Sequence, residues 1–254
     1  MSSASFPAAP GALVPQWPAP SRVRAAFTLR TGGVSAPPFD SLNVGVHVGD
    51  AADAVRENRR RLREHLRLPA EPAWLEQVHG TGVCELEAPA AATADALFTR
   101  QARRVCVVQV ADCLPVLLAA RDGSCVAAVH AGWRGLAAGV LEATLARLDT
   151  QPEQLMAWLG PAIGAQHFEV GGEVREAFIG RDPGASGAFI ANPRGRWQCD
   201  LAELARRRLG AAGITAVFGG AWCTYAEPLR FFSYRRDGQC GRMAALIWLD
   251  GELR

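Results

Sequence analysis

The sequence contains no lysine, so arginine supplies all 27 of the basic side chains that stand against 25 Asp and Glu residues. The formal net charge of the 254 residues is therefore only +2. Domains that bind nucleic acid usually carry a strong excess of basic residues. The charge balance accordingly argues against a nucleic-acid partner.

Long apolar runs and paired cysteine motifs are also missing. No run reaches the roughly 18–20 apolar residues that span a bilayer, and the first residues lack the basic stretch that opens a signal peptide. The seven cysteines are odd in number and form no Cys-x-x-Cys motif, which disfavours a disulfide scaffold and is typical of a reducing compartment. We therefore expect a cytoplasmic protein without a membrane partner.

The composition that is present, 49% hydrophobic and 20% charged residues, is that of a globular chain. Residues 1–20 are rich in Pro, Ala and Ser, and we expect them to form a flexible N-terminal arm that contributes little to the core. Neither a repeat nor a linker divides the remainder. Residues 21–254 are therefore predicted to form a single domain of mixed α/β class.

The apolar periodicity of the chain predicts the principal elements. Residues 105–110 and 115–119 are nearly continuous apolar runs, which predict strands buried on both faces. Asp50 is a candidate N-cap for a helix that ends near Arg67, and a second helix is predicted over 135–148. Further strands are predicted at 23–29, 73–75, 83–86, 125–129, 155–159, 214–218, 231–234 and 243–249, and further helices at 172–179 and 200–209.

Three potential metal ligands, His79, Cys113 and His130, each lie where a predicted strand ends and a turn begins. If these strand ends meet at one edge of a sheet, two imidazoles and a thiolate converge. Three such ligands suit Zn²⁺ and leave a fourth position open, which is the pattern of catalytic zinc sites. The metal would lower the pKa of a bound water and so generate a nucleophile.

Other interpretations of the same residues stay open at this point. Cys113 is also a candidate nucleophile, with His130 or His79 as its base. A buried, hydrogen-bonded histidine and a free core cysteine are common in proteins that bind no metal. A metal site closed by a fourth protein ligand would instead be structural.

Candidate anion- and substrate-binding residues lie in other loops. Arg30 precedes the turn Thr31-Gly32-Gly33, where its forked guanidinium is suited to a phosphate. Arg134 lies in the segment 132–135, which opens a helix whose backbone N–H groups and dipole favour an anion. His47 is a candidate to line a pocket, because it lies in a polar loop before Gly49.

Eight distinctive segments follow one another from about Arg22 to Leu249: TLRTGGVS (28–35), SLNVG (41–45), QVHG (77–80), ADCLPV (111–116), HAGWRG (130–135), LGPAIG (159–164), FEVG (168–171) and SYRRDG (233–238). Together they resemble the laccase-domain family of multicopper polyphenol oxidases, also called the purine nucleoside phosphorylase/YfiH family. Asn43 lies in the second segment and joins Arg30, His47 and Arg134 as a candidate substrate contact.

The resemblance implies a layered α/β sandwich in which mixed β-sheets are flanked by helices, akin to bacterial toxin deamidases of the cysteine-hydrolase type. It also implies one metal site, formed here by His79, Cys113 and His130, with zinc as the expected metal and copper as the alternative. Both lines of reasoning thus select the same three residues as ligands and as catalytic residues.

The activity that the resemblance implies is phosphorolysis of adenosine, inosine, guanosine and methylthioadenosine, together with deamination of adenosine. The partners would be a nucleoside and phosphate, and the oligomeric state is left open. The alternative is an amidohydrolase that edits cytoplasmic peptidoglycan precursors by removing a misincorporated amino acid from UDP-MurNAc. True laccase chemistry is disfavoured, because it needs several copper centres and many more histidines than the five present.

Overall fold

A computed structural model describes residues 11–86 and 93–251 of the chain. The strands of this part are β1 (Ala12–Leu13), β2 (Val23–Thr28), β3 (Val83–Glu85), β4 (Ala96–Thr99), β5 (Val105–Val110), β6 (Leu114–Ala120), β7 (Val126–Ala131), β8 (Leu155–Leu159), β9 (Glu169–Val170), β10 (Phe189–Ala191), β11 (Trp197–Cys199), β12 (Val217–Gly219) and β13 (Met243–Leu249). They form a six-stranded sheet in the order β12-β8-β6-β7-β4-β3, a four-stranded sheet in the order β1-β2-β13-β5, and a three-stranded sheet in the order β10-β11-β9.

Helices cover the outer faces of the two larger sheets. The α-helices are α1 (Ala52–His65), α2 (Trp133–Ala138), α3 (Val140–Leu148), α4 (Gly172–Ile179), α5 (Leu201–Ala211) and α6 (Tyr234–Asp237). Helix α1 packs on the four-stranded sheet, while helices α2 to α5 share a core with the six-stranded sheet. Two short 3₁₀ helices lie at Pro152–Gln154 and Pro183–Ala188.

The alternation of side chains along each strand creates this layering. On β6, Leu117 faces the four-stranded sheet, whereas Val116 and Leu118 face the helices. On β13, Ala245 faces the six-stranded sheet, and Leu246 faces α1. Because both faces of these strands are buried, their sequences are continuous apolar runs rather than alternating ones.

The fold class expected from the sequence is confirmed. The strand pairs β12–β8 and β3–β4 are parallel, whereas the pairs among β4, β6, β7 and β8 are antiparallel. The larger sheets are therefore layers of a sandwich of mixed α/β type, flanked by helices. None of the helices in the described part of the chain is long and apolar enough to cross a bilayer.

The N-terminal segment differs from the expected arm wherever it is described. Ala12 and Leu13 form β1, which pairs antiparallel with β2. Leu13 and Trp17 also pack against the core between the two large sheets. These contacts make the described part of the segment, residues 11–20, a part of the folded body. The prediction of a flexible arm rested on the Pro and Ala content and overlooked these apolar side chains. Residues 1–10 lie outside the described part.

Several element predictions need correction. The helix predicted over 135–148 is broken at Gly139, which takes a left-handed φ of +107° between α2 and α3. Residues 231–234 form no strand: Phe231 and Phe232 are buried in the core, and Ser233 caps α6. Residues 73–75 contribute only an isolated bridge from Ala73.

The predicted N-cap of α1 is also wrong. Ala51 occupies that position and makes no side-chain cap. The Asp50 carboxylate instead accepts hydrogen bonds from the Ser35 hydroxyl at 2.6 Å and the Asn43 amide at 2.9 Å. Asp50 therefore ties two loops together rather than beginning the helix.

Candidate metal centre

The three predicted ligands come together at one end of the six-stranded sheet. His130 lies on β7, and Cys113 lies in the turn that joins β5 to β6. Because β6 pairs with β7 in the register Pro115↔His130, this turn emerges beside the histidine. The third residue, His79, lies on a loop before β3 and has a left-handed φ of 61°.

The geometry of this cluster fits one small ion. The potential ligand atoms of His79, Cys113 and His130 all lie within 4.8 Å of one another. The Cys113 sulfur is 3.7 Å from Nε2 of His79, and the two imidazole rings meet edge to face with centroids 4.8 Å apart. His130 is buried, Cys113 is half-buried and His79 is exposed, so the cluster opens to solvent on the side of His79.

The Asp95 carboxylate, which no sequence pattern indicated, holds His130 and the His79 loop in place. Its side chain is fully buried, and Oδ1 lies 2.8 Å from Nδ1 of His130. The same carboxylate accepts hydrogen bonds from the backbone N–H groups of Val78, His79 and Gly80 at 3.3, 2.9 and 2.6 Å. With Nδ1 engaged, Nε2 is the nitrogen of His130 that remains for a metal.

The charges of the cluster shift the pKa values of its members. Burial raises the pKa of the Cys113 thiol, but the charges and hydrogen bonds of His130 and His79 outweigh this effect and lower it to about 6. Burial lowers the pKa of His130, whereas the Cys113 thiolate and Asp95 raise it to about 9. Cys113 is thus predisposed to the thiolate form that binds metals.

Two glycines allow the helix after His130 to approach the cluster closely. A Cβ atom on Gly132 would lie 2.9 Å from the Cys113 sulfur and 3.0 Å from Cδ2 of His79. A Cβ atom on Gly135 would lie 2.8 Å from the carbonyl oxygen of Gly80. The HAGWRG segment therefore needs small residues at these positions for α2 to pack on the ligand loop.

Two of the four predicted substrate contacts are engaged within the chain. The Arg30 guanidinium donates to the backbone and side-chain oxygens of Asp40 and to the carbonyl oxygen of Pro228. Asn43 is fully buried, and its side-chain amide makes four hydrogen bonds, two of them with Gly45. Contact of either residue with a substrate stays a prediction.

The other two predicted substrate contacts are exposed. Desolvation and the positive charge of Arg242 and Arg59 lower the pKa of His47. The positive charge of His130 lowers the pKa of His47 further. Arg134, in the first turn of α2, extends over its neighbour Trp133, with the guanidinium carbon 4.5 Å from the ring centroid.

Asp112, which precedes the predicted metal ligand Cys113, forms hydrogen bonds with other loops of the chain. Its carboxylate accepts a hydrogen bond from the Thr224 hydroxyl at 2.6 Å and from the backbone N–H of Arg235 at 2.7 Å. Its carbonyl oxygen accepts from the N–H of Ile163 at 3.0 Å. Asp112 thereby links the Cys113 turn to three distant segments.

The chain is similar over most of its length to one family of proteins. The family model described as "Multi-copper polyphenol oxidoreductase laccase" matches residues 24–250. A protein of Pseudomonas aeruginosa named purine nucleoside phosphorylase is 55% identical over 240 residues, which are 94% of this chain and 98% of that protein. The protein of Escherichia coli named purine nucleoside phosphorylase YfiH is 54% identical over 239 residues, 93% of this chain and 98% of its own length.

Solved structures agree with this similarity. A crystal structure of a Neisseria meningitidis protein matches with a TM-score of 0.91 and 48% identity, covering 95% of this chain and all of that one. A Bacillus licheniformis protein named hypothetical protein YfiH matches with a TM-score of 0.89 and 31% identity, covering 96% and 98% of the two chains. The fold described above is thus the fold of these proteins.

Proposed function

The chain belongs to the multi-copper polyphenol oxidoreductase laccase family, and on that premise we propose that it is a purine nucleoside phosphorylase whose metal centre is formed by His79, Cys113 and His130. Relatives more than 50% identical over nearly their whole length bear this enzyme's name. The observation that carries the proposal is the convergence of the three ligands beside an exposed opening.

Zinc is the metal that this donor set fits best. Two imidazole nitrogens and one thiolate are ordinary zinc ligands, and three protein ligands with an open position are typical of catalytic sites. Among residues 11–86 and 93–251, no further His, Cys or carboxylate group joins the cluster. Bound there, zinc would supply Lewis acidity to a substrate oxygen or nitrogen.

The described residues favour a single metal over the several copper centres of an oxidase. All five histidines are in the described part, and only His79 and His130 belong to the cluster. His65 lies on the outer helix α1, and His167 stacks on Tyr225. The remaining histidine, His47, is not among the grouped ligands. Copper in place of zinc at the single site remains the alternative for metal identity.

In phosphorolysis, an oxygen of phosphate attacks C1′ of the ribose while the bond from C1′ to the purine breaks. The electron pair of that bond leaves with the purine, which takes up a proton, and the products are free base and ribose 1-phosphate. Arg134 is our candidate for holding the phosphate, because it is exposed and lies two residues from Gly132, where a Cβ atom would meet Cys113 and His79. Arg30 is less suited, since its donors are engaged by Asp40 and Pro228.

The test uses the zinc-loaded protein with adenosine and phosphate, and mass spectrometry of the products. We expect adenine and ribose 1-phosphate from the native chain, and a loss of product in Cys113→Ala with the fold retained. Cys84→Ala, which removes a cysteine outside the cluster, is the matched control and should keep its activity. Turnover that persists in Cys113→Ala would overturn the assignment of the site.

The same assay separates the other reactions implied by family membership. Inosine formed without phosphate would report adenosine deamination at this centre. Release of free serine from a UDP-muramyl-serine precursor, without turnover of any nucleoside, would favour the peptidoglycan-editing amidohydrolase and contradict the phosphorylase proposal.

A further inference from the structure

Cys223 is one of only two cysteines that are half-buried rather than buried. All seven cysteines lie in the described part of the chain, and five of them are buried. The exceptions are Cys113, the proposed metal ligand, and Cys223, which is half-buried at the end of the isolated bridge to Ala162. With Cys113 committed to a metal, Cys223 is the half-buried free thiol that remains.

Cys223 has a base and a hydrogen-bond donor beside its sulfur. Nδ1 of His167 is 3.6 Å from the sulfur, and the backbone N–H of Gly164 donates to it at 3.2 Å. The His167 ring stacks on Tyr225 with centroids 4.5 Å apart and an interplanar angle of 21°, which orients the imidazole. This arrangement of nucleophile, base and orienting group is typical of activated thiols.

The surroundings of the buried cysteines are different. Burial raises the pKa of Cys125, of Cys240 and, to about 12, of Cys199. A thiol reacts through its thiolate, and buried thiols in apolar surroundings are inert. Cys223 differs from these three core cysteines in its partial exposure and in the imidazole beside its sulfur.

We propose that Cys223 and His167 form a thiol-exchange site that accepts small-molecule disulfides. His167 takes the proton of the Cys223 thiol, and the thiolate attacks one sulfur of the disulfide. A new S–S bond forms to Cys223 while the original S–S bond breaks, and the leaving thiolate takes the proton back from His167. The products are a mixed disulfide on Cys223 and one free small-molecule thiol, so Cys223 is oxidised as the leaving half is reduced.

An adduct at this position would act on the metal centre through Asp112. Thr224, next to Cys223, donates to the Asp112 carboxylate at 2.6 Å, and Asp112 precedes the ligand Cys113. Gly164 packs closely on Cys223, since a Cβ atom on Gly164 would lie 3.1 Å from the Cys223 sulfur. We expect a bulky mixed disulfide to displace the segment of Gly164 or that of Thr224, and both are hydrogen-bonded to the loop that carries Cys113.

The test exposes the zinc-loaded protein to oxidised glutathione and follows the intact mass and peptide map. We expect one adduct, located on Cys223, and none in Cys223→Ser, which retains a hydrogen-bond acceptor for Gly164. His167→Phe preserves an aromatic ring against Tyr225 but lacks the base, so the adduct should form about tenfold more slowly, since exchange depends on the thiolate fraction. His65→Phe, on an exposed helical histidine, is the matched control and should react at the native rate.

Two results would overturn the proposal. One is a native protein whose Cys223 stays unmodified while the denatured chain reacts at its cysteines. The other is equal rates in the native protein and His167→Phe. Neither readout involves a nucleoside, so a failure here is distinct from a failure of the phosphorylase proposal.

The link to the metal centre has its own measurement. Zinc release to a chelating dye should be faster from the glutathione adduct than from the unmodified protein, and addition of a reducing thiol should restore the slower release. An adduct that releases zinc at the unmodified rate would refute the coupling through Asp112.

Discussion

At the residue scale, Asp95 determines how two of the three proposed metal ligands are presented. It fixes Nδ1 of His130 and holds the backbone of the His79 loop. Groups that orient metal ligands in this way are typically worth 10- to 100-fold in metal affinity. The sequence offered no signal for this role, because Asp95 is a single carboxylate 35 residues before His130 and precedes a strand that the apolar pattern did not reveal.

Replacing Asp95 with Asn tests this role. The variant keeps the size of the side chain but loses the negative charge that faces Nδ1 of His130. We expect zinc affinity to fall by about 10- to 100-fold, as measured by competition with a chelating dye. Asp122→Asn, at a surface turn, is the control. An Asp95→Asn protein that binds zinc as tightly as this control would contradict the assigned role.

The pKa of Cys113 leads to a second prediction at this scale. In metal-free protein, alkylation of Cys113 by iodoacetamide should accelerate as the pH rises through about 6 and then level off, because the thiolate is the reactive form. Cys199, whose pKa burial raises to about 12, should stay unmodified at neutral pH. Peptide mapping after timed alkylation gives both rates.

Zinc provides the control for that experiment. Added before the reagent, it should protect Cys113, because a coordinated thiolate is a poor nucleophile. A Cys113 rate that rises only near the ordinary pKa of a free thiol, about 8.5, would show that His130 and His79 do not stabilise the thiolate.

At the element scale, the strands buried on both faces were the easiest to predict from the sequence. The apolar runs at 105–110, 155–159 and 243–249 match strands of the structure to the residue. Strand β4 was missed because Ala96–Thr99 is only four residues long and has no distinctive pattern. Phe231 and Phe232 were mistaken for a strand, because an apolar pair in a buried loop produces the same local signal.

The helix break at Gly139 is a feature that periodicity conceals. Apolar residues continue at helical spacing through 135–148, yet Gly139 has a φ of +107° and ends α2 before α3 begins. An L-residue with a side chain is strained in this region by about 1–2 kcal/mol. We expect Gly139→Ala to lower the free energy of unfolding by about that amount in chemical denaturation.

A glycine inside α5 gives the matched comparison. Gly210 is helical and exposed, and a Cβ atom there would meet nothing within 4 Å. Gly210→Ala should therefore raise the free energy of unfolding, by about 0.5–1 kcal/mol. The same sign for both variants would refute the distinction between the two glycines.

At the scale of the whole molecule, the candidate site depends on strands that belong to two cores. One face of β6 and β7 packs against the four-stranded sheet, and the other face packs against the helices. Of the proposed metal ligands, His130 therefore lies on a fully buried strand and Cys113 lies next to one. The sequence predicted which residues could bind metal, but not that Arg30 and Asn43 are engaged within the chain, because hydrogen bonds between distant loops leave no local pattern.

The N-terminal segment packs on this body, and a substitution of Trp17 tests how much stability it contributes. Trp17 packs against the core between the sheets, so Trp17→Ala should cost about 1–3 kcal/mol of stability, less than for a fully buried tryptophan. Gln16→Ala, at an exposed neighbour, should be close to neutral. Equal denaturation midpoints for the two variants would mean that residues 11–20 do not stabilise the fold.

The hydrogen bonds from the His79 loop to Asp95 also allow the lifetime of the assembled site to be measured. The amide protons of Val78, His79 and Gly80 all point at this one carboxylate. These amide protons exchange with deuterium only when their hydrogen bonds to Asp95 open. The same carboxylate is the hydrogen-bond partner of His130. The rate of deuterium uptake at these three amides therefore reports how often the proposed ligand set comes apart, and its measurement needs no substrate.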